Sequence, residues 1–254
     1  MFINQLVEEL SFSNWRELTK SIRGCDLCDS FEDLLPFDDA LQLPNPLEYN
    51  SRLEILMIAW APPGTRVAVN EHHFFHNPKS PDKMRSKIFN IINQVLPDAA
   101  LDPRNPEISL ERFYKMGLYL VPTIFRRIRN DKNPRTAIVT HSAQAHLLPI
   151  VQHLLSSSDS MKSVLFGTTP SRAFATLFDD QDNGRKLGGA ISKGLAEARK
   201  LTKNSPMLFE IADGRFMEVW ISNWPRGKGY ANLKRDLRRI LCAPSTLIPP
   251  SQTK

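Results

Sequence analysis

Leu53-Glu54-Ile55-Leu56-Met57-Ile58-Ala59-Trp60-Ala61-Pro62-Pro63-Gly64 decides the fold of this chain. It reads as a buried apolar strand over 53–59 that stops in a Pro-Pro-Gly turn. An apolar run of this length, ended by turn residues, is the pattern of a central parallel strand. In open α/β sheets, ligands bind just beyond the carboxyl ends of such strands. Trp60 to Thr65 is therefore expected to form one wall of a site, although an ordinary strand-to-loop exit has the same pattern.

Working outward, residues 1–24 are expected to be helical, with Leu6, Leu10, Trp15, Leu18 and Ile22 near helical spacing. A Pro- and Asp-bearing wrap, 30–51, separates them from the first strand. Ser80-Pro81 carries a helix start signal, serine at the cap and proline in the first turn, for a helix through about Val95. A Pro-rich loop at 97–108 precedes a helix over 109–116, which passes through Gly117 into a second strand, Leu118 to Val121. A helix at 141–155, a strand from Ser163 to Phe166, a Gly167-Thr168-Thr169-Pro170 turn and a helix at 171–178 follow. Residues 179–205, bearing glycine and lysine, read as a surface insertion. Met207 to Ala212 and Phe216 to Ile221, split by Asp213-Gly214, read as a hairpin. A basic amphipathic helix from Tyr230 to Leu241 precedes a flexible tail, 243–254. Strands alternate with helices, so the expected class is α/β, a three-layer αβα sandwich with a mostly parallel central sheet, in one domain over 1–254.

The composition is that of a globular chain: 254 residues, 41% of them hydrophobic, with a mean hydropathy of −0.31. No apolar run approaches the roughly 20 residues that a membrane span needs, and Met1 to Glu9 lacks the basic-then-apolar order of a secretory signal. A cytoplasmic monomer without a membrane partner is expected. The net charge of +6 and pI of about 9.3 favour a polyanionic partner. The charge is clustered, in Arg126-Arg127-Ile128-Arg129 with Lys132 and Arg135, and in Arg226, Lys228, Lys234, Arg235, Arg238 and Arg239. Such groups supply most sequence-independent affinity for nucleic acid, though a solvated helix face has the same composition.

Cys25, Cys28 and Cys242 are too few for a disulfide framework and suit a reducing compartment. Cys25-Asp26-Leu27-Cys28 has the spacing of half a metal or cluster site, and a full site needs about four ligands. With only Cys242 and six histidines left to complete it, the expectation is two reduced cysteines and neither an iron–sulfur cluster nor zinc.

Three strand exits gather unusual side chains. The first holds Glu71-His72-His73-Phe74-Phe75-His76-Asn77, the second Pro122-Thr123-Ile124-Phe125 before the Arg run, and the third Ser222-Asn223-Trp224-Pro225-Arg226-Gly227-Lys228-Gly229. In a parallel sheet all three can converge on one edge. His72 and His76 at i, i+4 would face one way on a helix, but the two phenylalanines and Asn77-Pro78 argue against one, so no metal is assigned there. Gly167-Thr168-Thr169-Pro170-Ser171 lacks the Gly-x-Ser-x-Gly elbow of a serine nucleophile. Gly227-Lys228-Gly229 is too short for a P-loop, yet its glycines let backbone amides approach a phosphate. Phe74 and Phe75 beside Asn77 offer a stacking surface plus an amide that can read a base edge. Adjacent phenylalanines in an extended segment point opposite ways, so one is expected in the core and one toward a pocket.

The order of these motifs resembles the uracil-DNA glycosylase superfamily. Cys25-x-x-Cys28 before a Pro-rich wrap is similar to its cluster-bearing branch. Ile55 to Gly64 resembles the first motif, Gly117-Leu118-Tyr119-Leu120-Val121-Pro122 the strand whose end reads the base, and Val164-Leu165-Phe166-Gly167 a later core strand. Val219 to Arg226 with the basic helix resembles the last motif, whose loop enters the minor groove. The resemblance spans Cys25 to Leu241. Three positions depart from it: Trp60 stands where the family has an acidic residue, Pro122 where it has a base-reading Asn or Asp, and Ser222 or Asn223 where it has a histidine. Two cluster cysteines are absent, one of them near Arg126.

The resemblance implies hydrolysis of the N-glycosidic bond of a flipped base, and the departures imply a base other than uracil. Branches of the superfamily act on modified cytosines in antiviral defence. A catalytically degenerate DNA-binding module and ordinary uracil excision are the alternatives. Under the first reading Phe75 stacks on the base, and Thr123 or Asn77 reads its edge. Trp60, Ala61 and Phe74 complete the substrate pocket. Asn223 stabilises the leaving base, and backbone carbonyls of Ala61 to Pro63 or the Glu71 carboxylate hold the water. DNA contacts fall to Arg126, Arg127, Trp224, Arg226 and Lys228.

Overall fold

The computed structural model describes residues 14–38, 41–62, 74–80, 82–129, 135–212, 214–225 and 229–242. Five strands form one sheet: β1 Ile55–Ala59, β2 Leu118–Pro122, β3 Ser160–Phe166, β4 Met207–Ala212 and β5 Arg215–Ser222, in the order β2-β1-β3-β5-β4. β1 pairs in parallel with β2 (Ile55 opposite Leu118, Ala59 opposite Pro122) and with β3, and β3 pairs in parallel with β5. β4 is the one antiparallel member, joined to β5 as a hairpin.

The residue patterns account for these positions. Every residue of β1 is buried, as a strand covered on both faces requires. Pro122 ends β2, the outer strand on that side, where a missing N–H breaks no ladder. β4, at the opposite edge, alternates buried and exposed residues, with Met207, Phe209 and Ile211 turned inward. Gly117 enters β2 at φ 69°, and a Cβ there would lie 2.9 Å from the Glu54 backbone nitrogen. Only glycine meets both demands.

The helices are α1 Trp15–Arg23, α2 Asp26–Asp29, α3 Lys83–Val95, α4 Pro106–Lys115, α5 Thr136–Ser142, α6 Leu148–Leu155, α7 Thr168–Leu177, α8 Asp182–Lys193, α9 Leu195–Leu201 and α10 Gly229–Cys242. A π turn, Ala143–Leu147, links α5 to α6. α7 packs on β1 and β3, while α10 packs on β5 and α3. The chain is thus α/β, with a mostly parallel central sheet flanked by helices, an arrangement consistent with a three-layer sandwich. No helix among the described residues is long and apolar enough to cross a membrane.

Three local expectations are corrected. α3 is capped by Asp82, whose carboxylate accepts from the Arg85 N–H at 2.5 Å. Ser80 instead accepts from the Phe74 N–H at 3.0 Å, so it closes the preceding loop rather than the helix. The helix expected at 141–155 begins five residues earlier and is interrupted by the π turn. Residues 179–205, read as a surface insertion, hold α8 and α9, and Leu187, Ile191 and Ala198 bury their side chains. The segment 1–13 and the tail 243–254 lie outside the described residues.

Candidate functional site

Beyond the carboxyl ends of β1 and β2 lies a cavity of about 90 Å³. Ala59, Ala61 and Pro62 line it from β1, Leu120 and Pro122 from β2, and Phe74, Phe75 and His76 from the following segment. Asp82 and Met84 at the start of α3, Leu41 from the wrap, and Trp224 after β5 complete the wall. Ala61, Pro62, Phe74, Phe75 and Trp224, all singled out from the sequence, therefore meet in one place. Phe74 and Phe75 are both buried and both reach the cavity, so the core-or-pocket division expected of neighbours does not apply. Phe75 also packs against Phe113 and Phe89, with ring centroids 5.4 and 6.1 Å away.

Two buried side chains, Arg85 and His76, hold this wall. Arg85 reaches back from α3 and donates to the carbonyls of Phe75 (3.0 Å), Asn77 (2.8 Å) and Ser80 (2.5 Å). With a longer bond to the Phe74 carbonyl at 3.4 Å, one guanidinium thus serves four loop carbonyls that burial would otherwise leave costly. His76 stands between Tyr114, 2.8 Å from its hydroxyl, and the Leu120 carbonyl oxygen at 2.6 Å. Its ring stacks on Tyr119 with centroids 4.7 Å apart. Burial lowers its pKa to about 4. Both ring nitrogens are used, so His76 is not available as the partner of His72 in a metal site.

Other sequence-predicted residues sit elsewhere. Thr123 is wholly buried, and its hydroxyl donates to the Ala59 carbonyl at 2.7 Å. It ties the ends of β1 and β2 together and has no remaining proton to offer a base edge. Asn77 turns its side-chain oxygen to the Lys79 N–H at 3.1 Å and does not line the cavity. Trp60 is half-buried, and its indole N–H meets no acceptor among the described residues. Asn223 is half-buried beside Trp224 but is not part of the cavity wall. Arg126 is buried rather than exposed to a polyanion: it pairs with Asp29 at 2.7 Å and donates to the Arg23 carbonyl at 3.3 Å. Arg127 lies 3.6 Å from Asp38. Glu71, His72, Arg226 and Lys228 lie outside the described residues.

A second concavity, of about 440 Å³, opens beside Ile221 at the carboxyl end of β5. Arg199, Lys200, Lys203, Arg235 and Arg239 line it, with Asp236 among them. Asp236 accepts from the Ser222 hydroxyl at 2.7 Å and pairs with Arg199 at 3.2 Å, so it anchors the groove to the end of β5. The Arg239 guanidinium lies over the Trp220 ring, 4.3 Å from its centroid, a cation–π contact. The C-terminal basic helix was legible in the sequence. Its partners Arg199, Lys200 and Lys203 were hidden in the segment read as an insertion, where basic residues at the end of an amphipathic helix were the available signal.

A third assembly revises the cofactor expectation. Cys25 and Cys28 lie beside His141 and His146, and one ligand atom from each falls within 4.8 Å of all the others. Cys25 Sγ is 3.2 Å from His141 Nε2, and Cys28 Sγ is 3.3 Å from His146 Nε2. Cys25 caps α2, its sulfur accepting from the Cys28 N–H at 3.3 Å. His141 ends α5, and His146 stands in the π turn. These four residues could bind a metal ion. Cys25-x-x-Cys28 and six histidines are visible in the sequence, but nothing local joins residues more than a hundred positions apart. The assembly sits behind the β2 exit, where the Phe125 ring meets His146 edge-on at 6.0 Å.

No protein-family model matches the sequence, and a comparison with curated proteins finds no significant match.

Proposed function

We propose that this chain is a DNA glycosylase that takes a flipped, non-uracil base into the cavity beyond β1 and β2. The observation that carries the reading is the meeting of Phe74, Phe75 and Trp224 around one cavity at the carboxyl edge of the sheet. A basic groove stands at the same edge, beside β5. An aromatic cavity can hold an unstacked base, and flipping one out costs a few kcal/mol. At about 90 Å³ the cavity is well below the roughly 300–1,000 Å³ of common ligand sites, which suits a single ring better than an extended ligand. The motif order, which resembles the uracil-DNA glycosylase superfamily, points the same way.

In the proposed reaction water attacks the sugar carbon, the N-glycosidic bond breaks, and the base leaves as an anion that is then protonated. Phe75 stacks on the base. Asn223, or a backbone amide beside it, stabilises the leaving charge, an oxyanion-hole role. Glu71 or the carbonyls of Ala61 to Pro63 hold the water. Arg226 and Lys228 grip phosphates, joined by Arg199, Lys200 and Lys203. Thr123 takes no part in reading the base edge, because its hydroxyl is spent on Ala59, and Arg126 makes no DNA contact, because it is buried.

A second reading, a module that binds DNA without cutting a glycosidic bond, is favoured by one observation. The acid at the described cavity wall, Asp82, is engaged as the cap of α3 rather than aimed at a water. A base-release assay separates the two. DNA containing uracil, plain DNA, and DNA carrying hydroxymethylated or glucosylated cytosine are incubated with the protein and treated with alkali. Breaks on one substrate establish the glycosylase and name its base. Tight, salt-sensitive binding with no breaks on any substrate establishes the module.

A further inference from the structure

We propose that Cys25, Cys28, His141 and His146 form a closed tetrahedral zinc site that fastens α2 to the continuous α5–α6 helix at its π turn. The donors are two sulfurs and two nitrogens whose ligand atoms all lie within 4.8 Å of one another. A tetrahedron built from Zn–S and Zn–N bonds of about 2.3 and 2.0 Å has sulfur–nitrogen edges of about 3.5 Å. The two sulfur–nitrogen contacts are 3.2 and 3.3 Å, within a few tenths of an ångström of that edge, and the remaining pairs, within 4.8 Å, close by no more than roughly 1.5 Å to complete the shell. A set of two thiolates and two imidazoles in that geometry selects zinc among common ions. An iron–sulfur cube is held by four cysteines, and its core would drive the four donors far apart.

The π turn is an independent observation for the same site. His141 and His146 are five residues apart. On an α-helix of 3.6 residues per turn they would point about 140° away from each other. The i→i+5 bonding of Ala143–Leu147 brings residues at that spacing back onto one face. Single π turns are rare and concentrate at functional sites. Here the turn falls between the two histidines, and their rings lie 5.6 Å apart.

Both thiols bind as thiolates and release their protons to solvent, giving a site with no net charge. All four positions are taken by protein, so the ion is structural rather than catalytic. Arg126, which donates to the Cys25 carbonyl at 3.4 Å and pairs with Asp29, braces the cysteine turn from behind.

The test is metal content and spectroscopy on the full chain. Protein purified from zinc-supplemented medium should carry about one zinc per chain and no iron. Replacing zinc with Co²⁺ should give the intense visible bands of a tetrahedral ion plus sulfur-to-cobalt charge transfer. His141→Cys should keep the metal, with charge transfer raised in proportion to a third thiolate. Cys28→Ser should lose most of the bound metal. Full-length protein that is folded, holds less than about a tenth of an equivalent of zinc and gives no tetrahedral Co²⁺ spectrum overturns the proposal. So does protein that carries iron and sulfide. Because the decisive measurements are on the unaltered chain, a variant that fails to fold does not blur the result.

Discussion

His76 Nδ1 lies 2.8 Å from the Tyr114 hydroxyl while its Nε2 lies 2.6 Å from the Leu120 carbonyl oxygen. A carbonyl can only accept, so Nε2 carries the hydrogen, and in the neutral ring Nδ1 accepts from Tyr114. A proton on Nδ1 would reverse that contact, with the Tyr114 oxygen accepting, and would place a positive charge inside a wholly buried site. Burial accordingly holds the His76 pKa at about 4, against an ordinary value of 6.5. Above pH 6.5 neither state takes the proton. As pH falls below 6.5 the unfolded chain takes it and the folded chain does not, until about pH 4. Stability should therefore be lost between pH 6.5 and 4, by up to ~3 kcal/mol from this group. Urea midpoints measured across that range should fall with pH in the native chain, and His76→Gln should flatten the difference.

Tyr114→Phe keeps the ring that packs on Phe113 and Tyr119 and removes only the hydroxyl. It leaves the buried Nδ1 acceptor without a partner, which costs about 1–3 kcal/mol. The denaturation midpoint should fall by that amount with an unchanged slope. An unaltered midpoint would mean that a water takes the place of the hydroxyl.

Thr123 and Phe75 make opposite predictions about the cavity. Thr123→Val deletes the hydroxyl that binds Ala59 and should cost about 1 kcal/mol of stability without changing which base is released. Phe75→Leu keeps an apolar side chain of similar bulk in the core but removes the aromatic face. It should cost under ~1.5 kcal/mol and cut base release at least tenfold, the loss of about 1.4 kcal/mol of transition-state binding. Base release that tracks Thr123 and ignores Phe75 would reverse these assignments.

Most of the fold was legible because its signals are local. The apolar run Ile55 to Ala59, the Gly117 entry to β2 and the Asp213-Gly214 break between β4 and β5 each speak within a few residues. The cavity wall was legible as far as the strand exits named Ala61, Pro62, Phe74, Phe75 and Trp224. What the sequence withheld was the partner of each polar group. Thr123 and Arg126 look alike as exposed binders and as buried braces until Ala59 and Asp29 are seen beside them. The four-donor site depends on a π turn, and an i, i+5 pair of histidines has no meaning on the α-helix that periodicity predicts.

Gly117 is the turn on which the pairing of β1 and β2 rests. At φ 69°, a Cβ at this position would sit 2.9 Å from both the backbone nitrogen and the Cγ of Glu54, and 3.1 Å from the Arg52 carbonyl. Gly117 also accepts, through its own carbonyl, the N–H groups of Glu54 and Ile55 at 2.8 and 3.1 Å. Gly117→Ala combines left-handed strain with a clash against backbone, and should destabilise by more than about 1 kcal/mol. Gly214, also at positive φ, has open space around it, so Gly214→Ala carries the strain alone. A thermal melt of the two variants should place Gly117→Ala lower, and equal melting temperatures would show that the strand entry relaxes around a methyl group.

If the basic groove holds DNA as proposed, its residues and the internal braces should respond differently to substitution. Lys203 and Arg235 line the concavity beside β5, whereas Arg126 is 3% exposed and held by Asp29. Each phosphate neutralised on B-form DNA contributes about 0.9 to the slope of log affinity against log salt. Lys203→Ala and Arg235→Ala should each lower that slope by about 1 while leaving the melting temperature within a degree or two, since both side chains are substituted at the surface. Arg126→Met should do the reverse. It removes the partner of Asp29 and the donor to two backbone carbonyls, so the melting temperature falls. The salt slope, measured at a temperature where the variant is still folded, stays at the native value. Fluorescence anisotropy with a labelled duplex over a range of salt concentrations reads all three. A slope that falls with Arg126→Met and not with Lys203→Ala would move the DNA interface away from β5 and toward the β2 exit.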